Sequence, residues 1–310
     1  MSEPTTSIQV TDLVKTYGTQ RAVDGISFTL PTTGVIGFLG PNGAGKSTTL
    51  RVLAGYVQPT SGSALVAGSD IVTQRLAASR RIGYLAEHNP LYLDLYVAEY
   101  LRLAGALQGM SGANLSDRIE EVIALTGLTA ERHKRLGQLS KGYRQRAGLA
   151  QAILHSPEVL ILDEPTSGLD PNQLVEIREL IRKLGQTACV IFSSHILSEV
   201  QAVADRVLII HQGHILLDAP MAEAQARLGA RSLRLELAAE GFDTPALTSL
   251  PGVAAVELLG PKQIRISLAA DAEGDPRKLV FDEVVRQGHS LLSLSEDEEN
   301  LEAIFRQLTR

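Results

Sequence analysis

The stretch Gly40-Pro41-Asn42-Gly43-Ala44-Gly45-Lys46-Ser47 constrains this chain more than any other. It fits the pattern G-x-x-x-x-G-K-[ST]. Before it lies an apolar run, Val35-Ile36-Gly37-Phe38-Leu39, and after it Leu50, Leu53 and Ala54 recur at helical spacing. A buried strand, a glycine-rich loop and a helix in that order bring backbone N–H groups and the positive end of a helix to one place, which suits phosphate. The glycines leave those N–H groups free to point inward. Lys46 can reach the β- and γ-phosphates, and the hydroxyl of Ser47, followed by Thr48, is a ligand for Mg2+. The pattern implies an α/β fold around a largely parallel sheet, with a nucleotide as ligand.

The 310 residues exceed one ordinary domain and leave room for two. With 44% hydrophobic and 21% charged residues the chain can bury a core. One cysteine, Cys189, excludes a disulfide framework and a multi-cysteine metal site and suits a reducing compartment. No apolar run approaches the roughly 18 residues that span a bilayer. The opening Met1-Ser2-Glu3-Pro4 lacks the basic and apolar regions of a signal peptide. A soluble, cytosolic chain is therefore expected, with any membrane role coming through a partner. Net charge is −6; residues 1–220 carry 19 Lys and Arg against 20 Asp and Glu, and residues 221–310 carry 10 against 15. Neither part offers the basic face that nucleic acid requires.

Apolar runs predict buried strands at 159–162, 189–192 and 206–210, and periodicity predicts helices at 94–108, 116–125, 144–154 and 173–184, the last stopped by Gly185. The middle of the chain, about 88–155, reads as a helix-rich insert. From about residue 225 the character changes. Leu233, Leu235 and Leu237 alternate with Arg234 and Glu236, strands are expected at 253–259 and 264–268 around Gly260-Pro261, and 276–287 reads as a helix. With a short element near 244–250, an extended stretch at 291–294 and a helix at 298–308, the order approaches β-α-β-β-α-β, the ferredoxin-like arrangement. The expected division is 1–225 and a smaller α+β accessory domain at 226–310.

Two further segments carry chemistry. Val159-Leu160-Ile161-Leu162-Asp163-Glu164 is an apolar strand ending in two carboxylates, and the carboxyl end of a strand in an α/β sheet lies beside the phosphate loop. Asp163 is placed to hold Mg2+; Glu164, pointing differently, can polarise an attacking water. Leu139-Ser140-Lys141-Gly142-Tyr143-Arg144-Gln145-Arg146 opens an amphipathic helix 13 residues before that strand, and Ser140 at its start makes a second phosphate-binding surface. This segment resembles the signature motif of ATP-binding-cassette (ABC) ATPases, usually L-S-G-G-Q. Lys141 and Tyr143 depart from the usual form in the manner of exporter-type cassettes, while Ser140 and Gly142 keep the positions that face phosphate in the family.

The resemblance covers about residues 8–225 and implies roles for other residues. Ser167-Gly168-Leu169-Asp170 resembles the loop linking the two ATP sites of a dimer. His195, in Ser193-Ser194-His195, matches the switch histidine at the γ-phosphate, and Tyr17 the aromatic that stacks on adenine. Most of the family has Gln where Glu87 falls here, so Glu87 is expected beside the metal, with His88 the competing choice one residue on. Tyr92, Tyr96 and Tyr100 share one face if their segment is helical, read either as a packed aromatic stripe or as a docking face. The run from Glu87 to Leu101 is similar to gliding-motility-associated ATPase subunits. The C-terminal Glu296-Asp297-Glu298-Glu299 with Leu301, Ile304, Phe305 and Leu308 resembles the accessory end of many exporter cassettes.

The resemblance implies a P-loop NTPase fold of the ABC type. It further implies a head-to-tail dimer with two MgATP between the chains, coupled on the cytoplasmic face to a separate polytopic permease, in the export direction. The alternative is a soluble ABC ATPase without a permease, for remodelling or regulation. Only 93 residues separate Lys46 from Ser140, too few for the long coiled-coil insert of DNA-structural cassettes, and the chain has one cassette where ribosome-associated forms have two. The pair Asp163-Glu164 with His195 argues for turnover over a purely regulatory module.

Overall fold

A computed structural model describes residues 6–228, 232–268 and 276–297, and the chain divides into two compact units, Met1–Met221 and Ala222–Arg310. The first unit opens with two long antiparallel strands, β1 (Thr6–Tyr17) and β2 (Gln20–Pro31), followed by β3 (Gly34–Leu39) and helix α1 (Lys46–Leu53). Next come β4 (Ser61–Val66), β5 (Ser69–Asp70), α2 (Arg75–Ser79) and β6 (Ile82–Leu85). Three helices, α3 (Val97–Leu107), α4 (Gly112–Leu125) and α5 (Lys141–Ile153), then separate β6 from β7 (Val159–Leu162). The unit finishes with α6 (Pro171–Gly185), β8 (Cys189–Ser194), α7 (Leu197–Val203), β9 (Arg206–His211), β10 (His214–Pro220) and the start of α8 (Met221–Leu228).

Two sheets result. One is antiparallel, ordered β2-β1-β4-β5; the other has six strands ordered β10-β9-β3-β8-β7-β6, parallel except for the β9–β10 hairpin. The parallel strands are apolar along their whole length because both faces are covered: every residue of β7 and β8 is buried. Ile8, Val10 and Phe28 of the antiparallel sheet, Ile36 and Phe38 of β3, and Leu50 and Leu53 of α1 belong to one core cluster with Val159, Ile161 and Ile191. Register sets the site: Leu39 lies opposite Ser194, Leu162 opposite Phe192, and Leu85 opposite Leu162. The segments that follow β3, β8, β7 and β6 therefore leave the same end of the sheet side by side.

Helix α7 lies close against β3 because position 37 is glycine. A Cβ there would stand 2.2 Å from Cγ1 of Val200. One expectation is corrected at the start of α3. Tyr92 and Tyr96 precede the helix, so the three tyrosines share no helical face. The Tyr96 N–H donates to the Glu99 carboxylate at 3.1 Å, an N-terminal cap. Tyr100 alone is in the helix and buried, its hydroxyl 2.6 Å from Oε1 of Gln151.

The second unit contains β11 (Ser232–Leu237), α9 (Thr244–Thr248), β12 (Val253–Gly260), β13 (Gln263–Leu268), α10 (Pro276–Arg286) and β14 (Leu291–Asp297). The sheet order is β12-β13-β11-β14 with every neighbour antiparallel, the strand order of the β-α-β-β-α-β ferredoxin-like arrangement. Leu233, Leu235, Ile264 and Ile266 pack with Leu247, Val280 and Val284 in a core of its own. The helix expected at 298–308 lies outside the described residues.

Candidate functional site

The loop between β3 and α1 is held by backbone contacts that only glycine allows at two points. A Cβ on Gly40 would come within 2.4 Å of the Ile210 carbonyl, and one on Gly45, at φ 109°, within 2.4 Å of the Ala22 carbonyl. The Gly40 N–H donates to the Ser194 carbonyl at 3.3 Å, and the Ala44 N–H to Pro41 at 3.2 Å, so the loop is fastened to the neighbouring strand and to itself. Lys46 is buried, its ammonium donating to the carbonyls of Gly40 (2.7 Å) and Pro41 (3.1 Å). Burial pushes its pKa down, opposed by the negative charges of Glu164, Asp163 and Glu87.

The segment after β7 supplies the two carboxylates. Asp163 is fully buried, and its Oδ1 accepts from the hydroxyls of Ser47 at 3.0 Å and Ser193 at 2.7 Å. Its Oδ2 is buried with no hydrogen-bond partner among the described residues. A buried carboxylate oxygen without a donor is costly unless a cation meets it. Together with the adjacent Ser47 hydroxyl it is an oxygen donor set of the kind Mg2+ takes, so these residues fit the ion.

Glu164 adopts φ 50°, a left-handed conformation that is strained for a side chain with a Cβ and recurs where function holds it. Its N–H donates to the Ser193 hydroxyl at 2.9 Å, and that same hydroxyl donates to Asp163, so one serine fixes both acids. The Glu164 carboxylate faces Lys46 at 3.7 Å and accepts from Nδ1–H of His195 at 3.0 and 3.1 Å. Burial pushes its pKa up, against the hydrogen bond from His195 and the charge of Lys46. A carboxylate whose pKa is raised in this way is a better proton acceptor than one free in water.

A cleft of about 500 Å3 collects these groups. Of the residues expected from sequence it brings together Tyr17, Asn42, Gly43, Gly45, Lys46, Ser47, Thr48, Glu87, Glu164 and His195. Gly40, Pro41 and Ala44 form the loop behind it, and Asp163 lies beneath Ser47. Between the two candidates after β6, Glu87 lines the cleft while the His88 side chain is 92% exposed. Tyr17 presents a half-exposed ring with the Lys15 ammonium 4.9 Å from its centroid. Ser140 and Gly142 are not among the cleft residues. Ser140 caps α5, its hydroxyl accepting from the Tyr143 N–H at 3.4 Å, and Gly142 is packed so closely on Gln173 that a Cβ would fall 2.2 Å from its side-chain oxygen.

Ser167, expected in the loop linking two ATP sites, lines the cleft, as do Gln20 and Ala22, which the sequence did not single out, and Ser193, named without a task, braces it from behind. Hydroxyls and small residues carry no pattern of their own; only the hydrogen bonds expose them.

The chain matches the family model described as "ABC transporter" over residues 23–167. It is 35% identical over 302 residues to the bacitracin transport ATP-binding protein BcrA of Bacillus licheniformis, covering 97% of this chain and 96% of that one. It is 37% identical over 237 residues to the daunorubicin/doxorubicin resistance ATP-binding protein DrrA of Streptomyces peucetius, covering 76% and 72%. In structure it is similar to an ATP-binding cassette solved as a dimer in a post-hydrolysis state with ADP and Pi. That match has a TM-score of 0.64 and 22% identity over 69% of this chain and 98% of the cassette.

Proposed function

This chain belongs to the ABC transporter family, as an ATP-binding subunit that hydrolyses ATP, and we propose that MgATP occupies the cleft between Tyr17 and Glu164. The single observation that carries the assignment is the convergence of four neighbouring strand ends. They bring the phosphate loop, Glu87, the raised Glu164 and His195 into one cleft, with the half-satisfied Asp163 beneath Ser47. Tyr17 offers the base a stacking face, the N–H groups of the loop and Lys46 hold the phosphates, and Ser47, Asp163 and Glu87 hold the metal. Mg2+, when bound, neutralises charge on the phosphate oxygens. Glu164 accepts the proton of the attacking water, and His195 keeps its carboxylate aimed.

Ser140 and Gly142 stand apart from the cleft of their own chain, which supports completion of each site by a second copy placed head-to-tail. The dimeric form of the structurally similar cassette supports the same reading. ATP then holds the dimer closed, and loss of the γ-phosphate contacts opens it. Opening and closing drives a polytopic permease on the cytoplasmic face. Among the described residues no helix is long and apolar enough to cross a membrane. A second cleft of about 550 Å3, lined in part by Tyr56, Leu76, Tyr84, Gln108 and His155, offers the permease a partly apolar seat. The relatives named for bacitracin transport and daunorubicin/doxorubicin resistance support export of an antibiotic-like compound. The motility reading rests on residues 87–101 alone.

The test is Glu164→Gln in the full chain. We expect ATP to bind, phosphate release to stop, and a species of twice the monomer mass to accumulate on size exclusion with ATP and Mg2+. Persisting turnover would remove Glu164 from its role, and an ATP-bound monomer in the presence of the permease would remove the sandwich.

A further inference from the structure

Glu199 is a buried carboxylate outside the cleft. It lies on α7, the helix that Gly37 admits against β3. Removing a carboxylate from water costs several kcal/mol unless its partners repay it. Here the partners are two hydroxyls, both on the same oxygen. Thr166 donates to Oε2 at 2.6 Å and Ser194 at 2.9 Å. Both donors are buried and neither position is arbitrary. Thr166 is two residues after Glu164, and Ser194 is the residue immediately before His195. Ser194 is itself gripped on the far side of the histidine, its Oγ accepting from the Ile196 N–H at 3.0 Å.

We propose that Glu199 is a positioning residue that ties the segment carrying Glu164 to the segment carrying His195, through Thr166 and Ser194 on one carboxylate oxygen. The inference rests on the assignment of Glu164 and His195 to ATP hydrolysis. Its physical content is distance. The Glu164–His195 hydrogen bond of 3.0 Å joins two side chains on separate strand ends. Before those ends, strand pairing and the Ser193 hydroxyl link the two backbones; Glu199 adds a link beyond them, after Glu164 on one segment and next to His195 on the other. With the Glu199 tie cut, the Ser193 bridge remains at the base of the two segments, and their outer parts, which aim Glu164 and His195, can shift by up to about an ångström. A misplacement of that size at a reacting centre lowers turnover by about 100-fold without touching the groups that bind substrate. Glu199 touches neither the phosphate loop nor Tyr17, so affinity for ATP is expected to stay.

The experiment measures steady-state phosphate release from the full-length chain with ATP and Mg2+. Glu199→Ala should lower kcat by about 100-fold with KM for ATP within about twofold of wild type. Glu199→Gln, whose amide oxygen accepts from the same hydroxyls, should recover most of the loss. The double variant His195→Ala/Glu199→Ala should be no slower than His195→Ala alone, because a residue acting through His195 has nothing left to position. Wild-type kcat in Glu199→Ala, or losses that multiply in the double variant, would overturn the proposal, as would a rise in KM equal to the fall in kcat. If Glu199→Ala does not fold, Thr166→Val and Ser194→Ala each remove one hydroxyl; roughly tenfold lower kcat at unchanged KM in both supports the tie, and wild-type kcat in both overturns it. Glu164→Gln measured alongside separates the two failures: wild-type turnover there defeats the site assignment itself, whereas lost turnover there with an unaltered Glu199→Ala defeats only the tie.

Discussion

Glu87 puts a carboxylate where most of the family has an amide, and it lines the cleft with Lys46, Ser47 and Glu164. A carboxylate binds a hard cation more tightly than a neutral amide oxygen does. Glu87→Gln is therefore expected to raise the Mg2+ concentration needed for half-maximal ATP hydrolysis several-fold. A titration of Mg2+ at saturating ATP reads this directly, and an unchanged midpoint would take Glu87 away from the metal. Cys189 makes the opposite kind of prediction. It is fully buried in β8, and burial pushes its thiol up to about 12. Iodoacetamide at pH 8 should leave the native chain unmodified and label it in urea, as mass spectrometry would show. Asp70 accepts three hydrogen bonds from Val72 and Thr73, and these hold its pKa below the usual value. Its depressed pKa means that its stabilising contribution is complete above the ordinary carboxylate pKa and fades as pH falls below about 4. Melting temperature measured from pH 6 to pH 3 should fall less steeply for Asp70→Asn than for wild type.

Elements show where sequence patterns carried information and where they stopped. The buried strands β3, β7, β8 and β9 were legible because strands covered on both faces must be apolar throughout, and each ended within two residues of its expected limit. The phosphate loop was legible because glycine, lysine and serine at fixed spacing have few other uses. The start of α3 was not, because Tyr92 and Tyr96 repeat at helical spacing through a segment that is not helical. The competing signal was the Glu99 cap, which places the boundary after Tyr96. The seating of α7 was hidden for another reason: it depends on a missing side chain at Gly37, and one glycine within an apolar strand says nothing about what leans on it. Gly37→Ala would force Val200 to move from a 2.2 Å approach. An overpacked core position of this kind costs about 1–3 kcal/mol. The urea midpoint of the full chain followed by circular dichroism should drop accordingly, and an unchanged midpoint would mean that α7 yields freely.

On the scale of the whole chain, each unit has a hydrophobic core among the described residues. The cluster around Ile8, Phe28, Ile36 and Ile191 serves the first unit, and Leu233, Leu235, Ile264, Val280 and Val284 serve the second. A unit with its own core can fold alone. Residues 1–221 expressed without the rest should bind a fluorescent ATP analogue with affinity within a few-fold of the full chain. A fragment that melts or fails to bind would show that the second unit supports the first.

The parallel sheet also has a quiet end. Apart from Tyr17, at the end of β1, the chemical groups of the site leave the carboxyl ends of β3, β6, β7 and β8, so the turns entering those strands are remote from them. Gln186 and Thr187, just ahead of β8, are separated from Ser194 by six residues of strand, about 20 Å. For anyone wishing to watch this molecule at work, that turn is an attachment point: a short peptide tag or fluorophore inserted there should report on assembly while ATP turnover proceeds at the untagged rate.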